Sequence, residues 1–248
     1  MIRKRALAVI AAALLPAALF PAVPSASAQE WSGQLTSYVW GSGLGGKLTP
    51  FTGAPSLSFN KSFSDVIEDL DGAFFMSGYA RNDRMVLLGD LSWSASSREG
   101  QLAPGVPAEG KLTQRSLTLA AGYRALDRQD MALDLLAGAR AWRIKAEASV
   151  AGGAMSASPT EDFVDPILAA RARFEIAPRW SAIIYLDLGG FGVGSEHTSQ
   201  VFTAVNYQMT DNLFLSGGYR RMDLDYRSGG IRADVTMQGP LLGLTWRF

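Results

Sequence analysis

The chain has 248 residues, 48% hydrophobic and 19% charged, with 23 basic and 23 acidic side chains. It contains no cysteine and one histidine, His197. This excludes a disulfide scaffold, a thiolate metal centre, a cysteine nucleophile and any multi-histidine metal site. A formal charge of zero leaves no basic surplus to neutralise a phosphate backbone, so nucleic acid is not an expected partner.

Arg3, Lys4 and Arg5 form a positive head, an apolar stretch follows from Ala6 to Val23, and Ala26-Ser27-Ala28 ends it with small residues at the spacing of a signal-peptidase site. Residues 1–28 therefore read as a secretory signal peptide, with cleavage expected before Gln29. Pro16, Pro21 and Pro24 argue against a single spanning helix over the same stretch. Without the three leading cations, residues 29–248 carry 20 basic and 23 acidic side chains, a net charge of −3. They read as one exported domain.

Beyond Gln29 the chain alternates in polarity over segments of about ten residues or more, broken by short polar turns. In 163–177, Val164, Pro166, Leu168, Ala170, Ala172, Phe174 and Ile176 fall on one face. Asp165, Ile167, Ala169, Arg171, Arg173 and Glu175 fall on the other. A period of two with arginines one way and aliphatics the other is a strand between unlike solvents. The same pattern recurs in 84–95, 112–126 and 180–192. Segments near 31–42, 73–82, 84–97, 112–126, 131–147, 163–177, 180–192, 199–209, 212–227 and 232–248 give ten strands; eight remain open because the first hairpin is the weakest signal.

Asn82-Asp83, Asp127–Asp130, Pro178-Arg179 and Thr210–Asn212 are tight and polar. Ser96–Lys111 and Ala148–Asp162 are expected to be longer loops, with Val193–Thr198 and Ser228–Ile231 shorter. Short turns at one end and longer loops at the other predict an all-β, transmembrane, antiparallel up-and-down barrel. Trp31, Tyr38, Trp40, Trp93, Tyr123, Trp180, Tyr207, Tyr219 and Trp246 lie near strand ends, where interfacial aromatic girdles sit. A soluble sandwich or lipocalin-like barrel is the competing fold; the girdles, and the Gly and Ala that dominate many inward positions, weigh against it.

The last segment ends Gly239-Pro-Leu-Leu-Gly-Leu-Thr-Trp-Arg-Phe248, with Leu242, Leu244, Trp246 and Phe248 in outward phase. A terminal Phe on such a strand resembles the signal read by the outer-membrane assembly machinery, here Trp246 and Phe248. Together with Gly189–Ser195, Gly218-Tyr-Arg220, Asp223–Tyr226, Ser64–Asp71 and Leu88-Gly-Asp90, it resembles a family of small proteobacterial outer-membrane β-barrels, OmpA/OmpW-like or porin-family. The resemblance implies a cell outer-membrane location and barrel fold but little function.

The alternation places Asp90, Asp134, Glu175 and Asp187 in the lumen with Arg124, Arg140, Arg171, Arg173 and Arg220; Asn206 and Gln208 add neutral hydrogen-bonding groups. Buried carboxylates and guanidiniums must pair or be hydrated, so a structural network is the plain reading. A charge-lined narrow path for ions or small solutes is the sharper one, although eight strands already give an interior filled by side chains. Phe63, Val66, Ile67 and Leu70 recur at helical spacing, with Ser62 or Ser64 as a candidate cap. That segment reads as a loop helix, or as a plug whose acids meet the arginine row.

Glu196-His197-Thr198-Ser199 faintly resembles the His-x-Ser element of lipid A deacylases, and His197 and Ser199 share a strand face. Gln200 follows where that family has Asn, and no orienting third group is evident, so no enzyme is expected. No cofactor or metal is expected. The expected function is an integral barrel with a narrow polar lumen, structural or passive toward small solutes and ions. The alternative is a surface-binding or adhesion barrel acting through its outer loops; a barrel hydrolase using His197 and Ser199 is remote. Outer-membrane lipid, lipopolysaccharide and the assembly machinery are the expected partners, and a monomer the expected state.

Overall fold

The computed structural model describes residues 31–49, 52–53, 56–103, 105–150, 152 and 155–248; the expected signal peptide, 1–28, lies outside them. The elements are β1 (Ser32–Trp40), β2 (Gly43–Thr49), β3 (Leu57–Lys61), α1 (Phe63–Glu68), β4 (Leu70–Asn82), β5 (Met85–Ala103) and β6 (Val106–Asp127). They continue with β7 (Met131–Val150), β8 (Met155–Ala157), β9 (Thr160–Ala177), β10 (Trp180–Gly190), β11 (His197–Gln208), β12 (Leu213–Ser228) and β13 (Ile231–Arg247).

Ten strands form a closed antiparallel barrel in the order β1, β4, β5, β6, β7, β9, β10, β11, β12, β13. Closure is made by β1 on β13, from Gln34 opposite Arg247 to Trp40 opposite Leu241. At the foot of that seam Gly33 and Phe248 exchange backbone hydrogen bonds of 2.8 and 2.9 Å. A closed barrel satisfies every strand edge, which is what a spanning β-structure requires where no water is present.

The first strand is longer than the sequence suggests. β2 continues along β13 above β1, from Gly43 opposite Gln238 to Thr49 opposite Arg232. The break between them lies where a side chain at Gly239 would stand 1.8 Å from the Gly41 carbonyl. β3 then folds back on β2. The two expected long loops are also largely paired backbone. β5 and β6 continue as a ribbon to Ala103 opposite Val106, and β8 folds onto the end of β7. Both faces of these extensions meet the same solvent, so Gly, Pro and Ser break the alternation while the ladder goes on.

Turns 83–84, 128–130, 178–179 and 209–212 make the short-turn end, where β1 begins and β13 finishes. At 178–179 the ring of Pro178 fixes one turn residue and Arg179 takes a left-handed φ of 70°. At the long-loop end, Gly229 and Gly230 (φ 56° and 88°) form a two-residue turn that needs positive φ twice.

Leu119, Leu135, Leu168, Leu186, Leu188 and Leu242 are exposed on the outer face, on β6, β7, β9, β10 and β13. Toward the long-loop end this belt gives way to outward Arg115, Arg143, Asp162, Arg221 and Asp234, all exposed. Trp31, Tyr123, Trp180 and Tyr219 are exposed on the outside. Tyr38 and Trp40, expected in the girdle, instead point inward: Tyr38 is buried at 4% exposure, in phase with Gln34 and Thr36 on the lumen side of β1.

α1 does not plug the lumen. It packs beside β2 and β3, and the Phe63 ring lies against Gly41. Ser62 caps it by accepting from the Asp65 amide at 3.3 Å, and Asp65 accepts from the Ser62 amide at 2.9 Å. Its acids are used locally, with Lys61 bound to Asp69 at 2.5 Å.

The Gly239 contact gives a direct prediction. Gly239→Val puts a branched side chain into the Gly41 backbone and should abolish the fast-migrating, heat-modifiable folded form on gel electrophoresis. Gly217→Ala, where an added Cβ meets nothing within 4 Å, should leave that form at wild-type level.

Candidate functional site: a charged clamp across the lumen

Inward positions on ten strands converge on the barrel axis, and in a lumen this narrow their side chains reach across. Arg140 on β7 is 1% exposed. Its guanidinium grips Asp187 on β10 with both ends, at 2.6 and 3.1 Å, and donates to Thr118 on β6 at 3.0 Å. Thr198 on β11 lies at 3.4 Å. The bidentate fork is the strongest geometry for this pair, and the threonines take up remaining donors.

Arg220 on β12, 2% exposed, makes a second crossing. It donates to Gln200 on β11 at 2.6 and 3.0 Å, to the Tyr38 hydroxyl on β1 at 2.6 Å and to Asp90 on β5 at 3.0 Å. Tyr38 in turn donates to Asp90 at 2.7 Å. The guanidinium also lies 4.8 Å from the Trp40 ring centre. A third group sits nearer the short-turn end. Asp134, with no exposure, accepts from Arg124 at 2.7 Å, from the Tyr79 hydroxyl at 2.9 Å and from Arg171 at 3.4 Å.

Of the nine charged residues read as lumenal from sequence, seven lie in these three groups. Arg173 and Glu175 pair with each other at 2.5 Å near the end of β9, with Glu175 43% exposed. Glu175 is therefore a mouth residue rather than a lumen acid: its phase is inward, but the strand is ending. Asn206 is buried and accepts from Ser216 at 2.7 Å; Gln208 is half-buried. Sequence reasoning missed Tyr38, Tyr79, Gln200, Thr118 and Thr198 as partners. Asp165, in inward phase, is fully buried and accepts from the Ser195 amide at 2.7 Å, fixing the loop after β10.

One step further toward the long-loop end the lumen turns apolar. Trp142, Met222 and Met237, each two residues beyond a lumen position of the clamp level, form a buried cluster with Trp40, Leu44, Phe163 and Val235. Phe163 stacks on Tyr226 at 4.4 Å and on Trp142 at 6.1 Å. Beyond the apolar belt, Arg221 holds the Asp223 carboxyl below the usual carboxylate range, and burial with a hydrogen bond to Glu161 pushes the Tyr226 hydroxyl up.

His197 and Ser199 share the outer face of β11, with buried Thr198 between them facing the lumen. By register they stand opposite Asp225 and Asp223. Both carboxylates are engaged, Asp225 by Arg227 at 3.0 Å and Asp223 by Arg221 at 2.7 Å and Thr236 at 2.6 Å. Among the described residues no three His, Cys, Asp or Glu side chains are grouped to hold a metal ion.

No protein-family profile matches the chain, and no curated protein does. Solved structures do. The outer-membrane protease OmpT from Escherichia coli superposes with a TM-score of 0.60 at 11% identity, over 89% of this chain and 97% of that one. The attachment invasion locus protein Ail of Yersinia pestis gives 0.42 at 14% identity, over 88% and 99%. The translocator domain of the autotransporter NalP from Neisseria meningitidis gives 0.47 at 11%, over 99% and 94%. The chain thus has the fold of an outer-membrane-type β-barrel, closed and ten-stranded.

Removing one partner from a dry charge group leaves the other uncompensated. Tyr38→Phe, which deletes one hydroxyl between Arg220 and Asp90, should lower unfolding free energy by about 1–3 kcal/mol. Asp90→Ala, which leaves Arg220 without its carboxylate, should cost about 3–5 kcal/mol. Urea unfolding of refolded protein checks both.

Proposed function

We propose that the chain is an integral outer-membrane barrel, related to the small OmpA/OmpW-like proteins its C-terminal strand resembles, and that it is closed to through-passage and structural in role. The outer belt of leucines faces lipid, the short-turn end faces the periplasm and the long-loop end faces outward. The observation that carries the reading is the pair of stacked layers across the lumen. The Arg140–Asp187 and Arg220–Asp90 crossings are followed directly by the Trp142–Met222–Met237 cluster. An ion would have to break desolvated ion pairs and then cross an apolar constriction, and both oppose conduction.

This reading favours the structural form of the expected function over the passive path. It is also non-enzymatic, which the engaged Asp223 and Asp225 beside His197 support. A second reading, surface binding, is favoured by β5, β6 and β7, which at 19, 22 and 20 residues far exceed what a crossing needs. Their excess length projects as paired ribbons on the long-loop side.

Refolded protein in planar bilayers should show no unitary conductance steps at moderate voltage, while remaining heat-modifiable on gels. Steady, uniform steps from the purified wild type would contradict the closed reading. Replacing residues 99–109 by a short turn should leave the folded barrel intact. Loss of cell adhesion in that variant would move the weight to the surface-binding reading.

A further inference from the structure

On the short-turn side of the clamp the lumen holds a cavity of about 100 Å³. Its wall carries five guanidiniums, Arg140, Arg171, Arg173, Arg220 and Arg247, and one carboxylate, Asp90. Arg140 and Arg220 are matched by Asp187 and Asp90. The lower three are not matched one for one. Arg171 shares Asp134 with Arg124, which holds that carboxylate more closely, at 2.7 Å against 3.4 Å. Arg173 has the half-exposed Glu175. Arg247 makes no ion pair among the described residues; its guanidinium lies 4.2 Å from the Phe214 ring centre, repelled by Arg173 and Arg171 and attracted by Glu175.

Four guanidiniums, Arg124, Arg171, Arg173 and Arg247, therefore meet one buried carboxylate, Asp134, and one at the mouth, Glu175. Asp127 is further out, half exposed and divided between Arg124 and Arg81. The wall also carries the neutral donors and acceptors Thr36, Ser181, Asn206, Ser216 and Thr245, set among apolar side chains that include Leu88, Ile183, Phe202, Phe214 and Leu241. Unmatched guanidiniums beside hydroxyls, in a recess with low-dielectric walls, form a receptor for an oxyanion, because planar N–H forks and hydroxyl donors suit phosphate oxygens.

We propose that the periplasmic half of the lumen binds a small phosphate-type oxyanion between Arg173 and Arg247, with Arg171 behind them. The anion enters past the short turns and stops at the clamp. The stop rests on the closed-barrel reading above; the binding does not, so conductance tests one and titration the other. The chemistry is shared by free phosphate and by small phosphomonoesters.

The test is thermal unfolding and calorimetric titration of the refolded full chain with inorganic phosphate, against chloride at matched ionic strength. Saturable binding with a rise in Tm of several degrees is expected, since a ligand selective for the folded state stabilises it. Arg173→Gln and Arg247→Gln should each weaken phosphate binding about tenfold or more, the effect of one lost charge-assisted contact. Without phosphate, Arg247→Gln should keep Tm near the wild-type value, because the change strands no ion-pair partner; a merely structural Arg247 would lower it. Arg221→Gln, on the outer face, should leave binding unchanged. Binding of glycerol phosphate as well as phosphate assigns the site to phosphomonoesters, and binding of phosphate alone assigns it to the free ion. Equal stabilisation by chloride, or unchanged phosphate affinity in both lumen variants, would overturn the proposal.

Discussion

The guanidinium of Arg140 on the carboxylate of Asp187 is the constraint from which the rest of the barrel follows. It joins β7 to β10 across β9, with both side chains buried. A ten-stranded ring encloses more space than its inward alanines and glycines fill, yet less than a water-filled channel needs. Long charged side chains solve that geometry. They reach the axis, satisfy one another, and bring their aliphatic stems as packing. Arg220 repeats the solution from β12 with Tyr38, Gln200 and Asp90.

Such pairs are costly to desolvate, and their net stabilisation over an apolar core of equal volume is small. Their consequence is specificity. Each guanidinium has its partners on particular strands, so a register slip by one residue would turn Arg140 or Arg220 outward into the leucine belt. The two solvents of the barrel thereby fix its register from both sides. Lipid-facing leucines penalise an outward charge, and the clamp penalises an inward aliphatic. The apolar cluster of Trp142, Met222 and Met237 then follows the charged layers, so the lumen is polar toward one end and apolar toward the other.

Much of this was legible in the sequence because the period of two is imposed by the backbone and cannot be hidden in a half-lipid, half-polar strand. Leu117 and Leu119 outward with Ser116 and Thr118 inward followed from alternation alone; the strand count reads as ten with eight left open, and the barrel has ten. Three features escaped for physical reasons. Ribbon extensions such as Ser97 opposite Lys111 have one solvent on both sides, so nothing forces alternation. Tyr38 and Trp40 are amphipathic and suit either an interface or a lumen; only their phase with Thr36 decides. Asp134 is the register partner of both Arg124 and Arg171 on adjacent strands, but the carboxylates of Arg140 and Arg220 lie on strands that are not neighbours, which barrel closure and stagger fix and local pattern does not. Arg220 meets Asp90 over 130 residues of chain.

The central claim is that Arg140 and Asp187 act as one unit tying β7 to β10 on the lumen side of the barrel. A double-mutant cycle on unfolding free energy in detergent or vesicles tests it most directly, using Arg140→Met, Asp187→Leu and the pair. The account predicts a large loss for each single change, about 3–5 kcal/mol, and recovery of most of it in the double variant, where no charge is left unpaired. Additive losses, with the double variant as weak as the two singles combined, would contradict it.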